Sequence, residues 1–279
     1  MDSMRIDAHQ HYWDLSRLRY SWMPPGDSVL RRNYLPADLE SILADHHFDG
    51  SVVVQANVVM EETWWLLDLA ARHESIRGVV AWVDLTDPEV GRTLDMCRLH
   101  PKFKGVRHIV HDEPDLRWIL RDDVVRGLKE LARRDIPYDV LIRPPHLPLL
   151  PELADRVPGL RMVIDHIAKP LIASQAMEPW AHDIEIAAGI PGMHCKLSGM
   201  ITEADHGAWK ADDLRPYVQH VLKLFGPDRL MFGTDWPVCK LAGSWKQVLA
   251  AFTQACGPLP QVEREKILGG TAVSFYGLT

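Results

Sequence analysis

The stretch MRIDAHQ (residues 4–10) is a short apolar run that ends in polar side chains, and it is the first of eight such runs along the chain. The other seven are GSVVVQAN (50–57), GVVAWVDL (78–85), KGVRHIV (104–110), PYDVLIR (137–143), LRMVIDH (160–166), MHCKLSG (193–199) and RLMFGTD (229–235). Amphipathic stretches with helical periodicity lie between them, such as PADLESILADHHF and DDVVRGLKELARR. Eight strand–helix units in 279 residues predict an α/β fold, a (β/α)8 TIM barrel. A doubly wound open sheet is less favoured, because no glycine-rich phosphate loop follows the first run.

Composition narrows the class of protein. With 279 residues, of which 47% are hydrophobic, we expect one barrel domain over residues 1–279 with a loop insertion at about 12–35. Lys and Arg total 31 against 38 for Asp and Glu, without a dense basic block, which argues against binding to nucleic acid or a membrane surface. No apolar run approaches a membrane span and no signal peptide is evident, so we expect a cytoplasmic protein. The four cysteines are widely separated and predict buried thiols.

The polar ends of the predicted strands indicate where a site lies. In a parallel barrel these ends converge on one mouth, where active sites are built. His9 and His11 are two residues apart on the first strand, so their side chains share a face and can reach one ion. Asp235 ends the eighth strand, which in a closed barrel is the neighbour of the first. A carboxylate beside two histidines is a metal ligand, a general base, or both.

Seven motifs, in order, carry a resemblance: DAHQHYW, GVRH, YDVLIRP, DHIAKP, CKLSG, LMFGTDWP and GGTAVSFYGL. Together they resemble the amidohydrolase superfamily, and within it the branch of sugar and dicarboxylate lactonases that includes L-fucono-, L-rhamnono- and 4-sulfomucono-lactonases. The resemblance covers nearly the whole chain. It implies a barrel that hydrolyses a lactone, with His9, His11, His166 and Asp235 on the positions that the family uses. It also implies that Arg107, His108 and Lys196 lie in the pocket.

The chain departs from the binuclear members of this superfamily. Those members carry a bridging lysine or glutamate at the end of strand four and a histidine at the end of strand five, where this chain has VRH and DVLIR. Two metal ions are therefore not expected. The resemblance implies at most one divalent ion, zinc or manganese, held by His9, His11 and Asp235, and the branch includes lactonases that work without metal.

Opening a lactone needs a base for the attacking water, a positive group at the carbonyl oxygen and a proton for the leaving hydroxyl. Asp235 suits the base role, because a carboxylate can take the proton of the water and return it to the leaving oxygen. The carbonyl oxygen could be polarised by a metal ion on the histidine pair, by His166 or by Arg107, and the residues alone do not choose among these.

Further residues are candidates for binding the substrate. Gln55 could hydrogen-bond a sugar hydroxyl or cap the following helix, and Trp13 could form part of an aromatic wall or pack within its loop. We assign His108, Lys196 and Trp236 to substrate binding as well. A small-molecule sugar lactone is the expected substrate, because an aromatic-derived dicarboxylate would require several arginines. Two other functions stay open: a metal-dependent non-oxidative decarboxylase on the same barrel, and a catalytically silent sugar-binding module.

Overall fold

The computed structural model of this chain describes residues 4–24 and 26–279, so of the predicted ranges only residues 1–3 and Pro25 lie outside the described residues. Eight strands form one parallel sheet in the order β1 to β8: Ile6–Gln10, Gly50–Val54, Ile76–Ala81, Phe103–Ile109, Tyr138–Leu141, Met162–Ile164, His194–Leu197 and Leu230–Phe232. Each neighbouring pair is parallel. All eight predicted strands and the predicted barrel are confirmed.

Helices alternate with the strands and cover the outside of the barrel. Within the described residues they are α1 to α10: Pro36–Asp45, Met60–Arg72, Val90–Cys97, Asp122–Arg133, Leu150–Arg156, Trp180–Ala188, Ala211–Phe225, Trp245–Cys256, Gln261–Glu265 and Thr271–Tyr276. The helix α4 shows why these segments are helical: two aspartates occupy its first turn and Arg133 its last, which complements the helix dipole. Its apolar residues Val124, Val125, Leu128 and Leu131 recur on one face and are buried. No helix in the described ranges is long and apolar enough to cross a membrane.

The seam between β8 and β1 is closed by a few specific contacts. A single bridge joins Gln10 and Trp236, and the Asp235 amide donates to the His9 carbonyl at 2.8 Å. The buried Asp7 carboxylate accepts from the Thr234 amide at 2.9 Å and from the Thr234 hydroxyl at 2.5 Å. These contacts bring the end of the chain's last strand beside the first, as the sequence predicts.

Two apolar layers support the barrel. The larger one packs between the sheet and the helices and includes the four cysteines, which are all buried and unpaired as expected. The smaller one fills the barrel interior with residues of β1, β2, β3, β6 and β8. The C-terminal helix α10 contributes Ala272, Phe275 and Tyr276 to this inner layer. This helix therefore plugs the end of the barrel opposite the mouth.

Candidate active site

The carboxyl ends of the strands surround a cavity of about 260 Å³. Its polar lining comprises His11, Arg107, His111, Arg143, His166, Lys169, Asp112 and Asp235, and its apolar lining comprises Trp22, Ala56, Ile109, Leu141 and Val238. Four of the predicted site residues, His11, Arg107, His166 and Asp235, thus meet at one place. A cavity with apolar lining residues and several convergent polar groups is typical of a small-molecule site.

Asp235 lies among three imidazoles. Its Oδ1 is 3.1 Å from His11 Nε2, 3.8 Å from His9 Nε2 and 3.9 Å from His166 Nε2. Burial alone would raise the pKa of this carboxyl, but the imidazoles of His166 and His11 hold the pKa below its ordinary value. Asp235 is therefore a carboxylate at neutral pH and is free to accept a proton.

The protonation of His11 follows from its partners. Its Nδ1 lies 2.7 Å from the Val54 carbonyl oxygen, which can only accept, so Nδ1 carries a proton. In a neutral ring, Nε2 then presents its lone pair to the Asp235 carboxylate at 3.1 Å. Two acceptors at this distance repel each other unless a proton or a cation lies between them.

His9 is fully buried and lies between two cationic side chains. Its Nε2 is 3.2 Å from Arg107 Nη1, and its Nδ1 is 3.2 Å from Lys196 Nζ and 3.3 Å from Asp165 Oδ1. Burial lowers the pKa of His9 well below its ordinary value, so the ring is neutral and carries one proton. Both ring nitrogens thus face a cation that can only donate, Arg107 at Nε2 and Lys196 at Nδ1, and Asp165 Oδ1 is an acceptor close to Nδ1.

The donor set fits one divalent metal ion. His9, His11 and Asp235 each offer a ligand atom, and these atoms lie within 4.8 Å of one another. Two imidazole nitrogens and a carboxylate oxygen are ligands that zinc and manganese accept. The Nε2 atom of His9 already accepts from Arg107, so an ion at this place would share or replace that contact. A second group of potential ligands also includes the His9 imidazole, together with Asp165 and His166.

His166 lies on a loop with an unusual backbone. His166 and the three residues that follow it all have positive φ, a conformation that costs about 1–3 kcal/mol for each non-glycine residue. His166 Nδ1 contacts the Ser198 hydroxyl at 2.8 Å. A Cβ atom on Gly199 would lie 2.5 Å from that same nitrogen, so only glycine leaves room for the ring. Burial lowers the pKa of His166 to about 3, and the ring is neutral.

Arg107 is 3% exposed and reaches into the cavity from β4. Its Nη1 donates to Asp165 Oδ2 at 3.2 Å, and its Nη2 donates to the main-chain carbonyl of Gln55. The Gln55 side chain is fully buried beside this guanidinium and does not line the cavity. In this position Gln55 supports Arg107, and its role as a substrate ligand stays a prediction.

The loop after β2 forms one wall of the cavity. The Glu62 carboxylate accepts from the Ala56 amide at 2.9 Å and the Asn57 amide at 2.7 Å, and the Ala56 carbonyl accepts from Trp22 Nε1 at 2.7 Å. Trp22 packs edge-on against Trp13. Burial raises the pKa of Glu62 to about 7. The buried Glu62 carboxyl group therefore fixes the loop after β2, and this loop holds Trp22 in the cavity wall.

Four residues predicted to bind substrate lie outside the cavity lining. His108 contacts Trp82 Nε1 through Nδ1 at 3.0 Å and Glu113 through Nε2 at 2.6 Å, so both nitrogens are used by the protein. Lys196 is fully buried below His9. Trp13 and Trp236 are also buried, and both pack edge-on against Tyr34. Their positions favour roles in support of the site, and their assignment to substrate binding stays a prediction.

His111 lines the cavity but was missed by sequence reasoning. It is two residues from Ile109 and four from Arg107, and all three line the same cavity. It lies in the short 3-10 turn Val110–Asp112 directly after β4, where the strand alternation has ended, so no periodic signal in the sequence marks it. Burial, with Lys169 and Arg143 adding to it, lowers the pKa of His111 to about 3.

Comparison with known proteins gives consistent matches. The family model described as amidohydrolase matches residues 6–278. An L-fucono-1,5-lactonase from Burkholderia ambifaria is 39% identical over 280 residues, which cover 98% of this chain and 96% of that protein. An L-fucono-1,5-lactonase from Burkholderia multivorans is 38% identical and covers 100% and 97%. A crystal structure of an amidohydrolase from Burkholderia multivorans with bound zinc has a TM-score of 0.92 and 37% identity, over 99% of this chain and 100% of that one.

Proposed function

This chain belongs to the amidohydrolase family and is a sugar lactonase, and we propose that its substrate is the 1,5-lactone of a 6-deoxy sugar acid, with L-fucono-1,5-lactone as the first candidate. The observation that carries the proposal is the Asp235 carboxylate, set among imidazoles in a cavity that Arg107 also enters. The relatives with 38–39% identity are named as lactonases, which favours this function over decarboxylation and over sugar binding alone.

In the proposed reaction, Asp235 acts as the general base. A water molecule between Asp235 and the lactone carbonyl gives one proton to the carboxylate as its oxygen attacks the carbonyl carbon. The tetrahedral intermediate then collapses, the bond from carbon to the ring oxygen breaks, and protonated Asp235 returns the proton to that leaving oxygen. One residue serves both proton transfers, and the product is the open-chain acid.

Arg107 and His166 are the proposed partners of the carbonyl oxygen. Both line the cavity with Asp235. Arg107 carries a permanent charge held in place by Asp165, and such preorganised donors stabilise the developing oxyanion. Neutral His166 can donate a hydrogen bond through its one N–H group but has no second, acidic proton to transfer at neutral pH.

A metal ion fits the same site. Held by His9, His11 and Asp235, a zinc or manganese ion would supply a Lewis acid and would satisfy the close contact between His11 and Asp235. The residues of the chain already provide a base and a fixed positive charge. We propose at most one such ion per chain.

The apolar lining supports a 6-deoxy substrate. Trp22, Ile109, Leu141 and Val238 line the cavity, and none has a free group that could hydrogen-bond a hydroxymethyl group, because Trp22 Nε1 donates to Ala56. Burying an unsatisfied hydroxyl there costs free energy, whereas a methyl group gains from burial. L-Galactono-1,5-lactone differs from the fucono compound only by that hydroxyl.

The test is a pH-indicator assay of acid release from L-fucono-, L-rhamnono-, L-galactono-, D-galactono- and D-arabinono-lactones, with spontaneous hydrolysis subtracted. We expect kcat/KM for the L-fucono compound to exceed that for the L-galactono compound by about tenfold to a hundredfold, as a single mismatched group typically gives. An equal or reversed preference would contradict the 6-deoxy proposal. Evolution of carbon dioxide from acids, without lactone hydrolysis, would contradict the lactonase proposal.

A further inference from the structure

A line of buried polar groups runs through the barrel from the C-terminal helix to the active site. The Tyr276 hydroxyl lies 2.9 Å from both carboxylate oxygens of Asp139. Asp139 Oδ2 lies 2.5 Å from Lys196 Nζ, which is 3.2 Å from Asp165 Oδ1. None of these four residues lines the cavity, and each is almost completely buried.

Stability is a weak explanation for this arrangement. Taking charged groups out of water carries a large desolvation penalty, and a well-packed apolar replacement of similar volume is often as stable or more so. The same barrel shows the alternative, because Ile6, Val52 and Val80 fill the adjacent interior without any charge. A buried lysine with two carboxylates therefore indicates a role in the site above it.

Asp165 connects this line to the reacting groups. Its Oδ2 accepts from Arg107 at 3.2 Å, and its Oδ1 lies 3.3 Å from His9 Nδ1. The same carboxylate thus orients the guanidinium and, together with Lys196, determines which charges face His9 Nδ1. Lys196 is the cation that keeps Asp165 in place, and Asp139 with Tyr276 keeps Lys196 in place.

We propose that Tyr276, Asp139 and Lys196 are positioning residues that hold Asp165, and through it the His9 tautomer and the Arg107 guanidinium, in the orientation that the reaction needs. Tyr276 acts from the opposite end of the barrel and touches neither substrate nor Asp235. Loss of such outer partners in comparable sites typically lowers activity by about tenfold to a hundredfold. The kinetic part of this inference depends on the proposed lactonase function.

The kinetic test compares Tyr276→Phe with Tyr217→Phe. Tyr217 is also fully buried, and its hydroxyl has no hydrogen-bond partner among the described residues, so its loss provides a matched control. We expect Tyr276→Phe to lower kcat about tenfold with KM changed less than about twofold, while Tyr217→Phe leaves both unchanged. An unchanged kcat in Tyr276→Phe, or an equal loss in the control, overturns the proposal, whatever happens to the melting temperatures.

A second test does not need activity. Long-range ¹H–¹⁵N spectra of ¹⁵N-labelled protein report which nitrogen of an imidazole carries the proton, and His9→Asn identifies the signals of His9. In chelator-treated protein, where no ion on Nε2 fixes the tautomer, we expect one His9 tautomer in the wild type and a mixture of tautomers in Asp139→Asn, which removes the charge facing Lys196 but keeps its shape. An unaltered His9 spectrum in folded Asp139→Asn overturns the proposal. If no lactone is hydrolysed, the proposed function fails, and this spectrum still decides the positioning role.

Discussion

Replacement of Asp235 by asparagine isolates proton transfer from the architecture of the site. The amide has nearly the shape of the carboxylate, and its NH2 group can donate to the Nε2 atom of His11, which the carboxylate approaches at 3.1 Å. The main-chain amide of residue 235 still donates to the His9 carbonyl across the seam. The fold should therefore persist. Asparagine cannot accept the proton of water, and removal of a general base costs about a hundredfold to ten-thousandfold in rate, or about 3–5 kcal/mol in the barrier.

The assay follows acid release from the best lactone with a pH indicator, across a pH range. Since the pKa of Asp235 is held below its ordinary value, wild-type kcat should not decline from protonation of this residue until the pH is well into the acid range. The ion content and melting temperature of the variant are measured alongside, because loss of a metal ligand or of the fold would imitate loss of the base.

The comparison variants are Arg107→Met and His166→Asn. Both should weaken polarisation of the carbonyl or binding of substrate, yet leave Asp235 able to take a proton. If folded Asp235→Asn with wild-type ion content keeps more than about a tenth of wild-type kcat, the loss is smaller than removal of a general base gives, and the assignment is wrong.

Three further predictions concern the surroundings of the site. Gly199→Ala should displace His166 and lower kcat by about tenfold or more, because its Cβ would lie 2.5 Å from the imidazole, whereas Gly192→Ala, with positive φ but nothing within 4 Å, should lose only a little stability. The pKa of Glu62 is raised to about 7 from 4.5, so its stabilising contribution is full below pH 4.5 and is lost as the pH rises through 7; the melting temperature of Glu62→Gln should exceed that of the wild type above pH 7 and match it in acid. Elemental analysis of the purified protein should find at most one zinc or manganese per chain, and two tightly held ions would contradict this reading of the donor set.

The barrel and the first elements of the site could be predicted because they depend on local patterns. The alternation of apolar runs with amphipathic helices fixes the number of strands, and the two-residue spacing of His9 and His11 fixes their common face. Asp235 follows from barrel closure, because the last strand of a closed barrel lies beside the first.

The depth of a side chain along the barrel axis could not be predicted in the same way. Lys196 points into the barrel as expected but lies below His9, because strand tilt and stagger decide which layer of side chains reaches the mouth. His108 follows Arg107 and therefore faces outward, where Trp82 and Glu113 occupy both its nitrogens. Those partners come from loops, whose positions no periodic pattern encodes.

The seam between β8 and β1 also determines the stage of synthesis at which the active site can form. His11 and Asp235 are 224 residues apart in sequence and meet only across the contact between the first and last strands. A nascent chain that has emerged through its seventh strand carries His9 and His11 but lacks the carboxylate of Asp235. Contacts of such long sequence separation form late in folding. Activity should therefore appear abruptly, only after residue 236 has left the ribosome, and no shorter N-terminal fragment should hydrolyse the substrate.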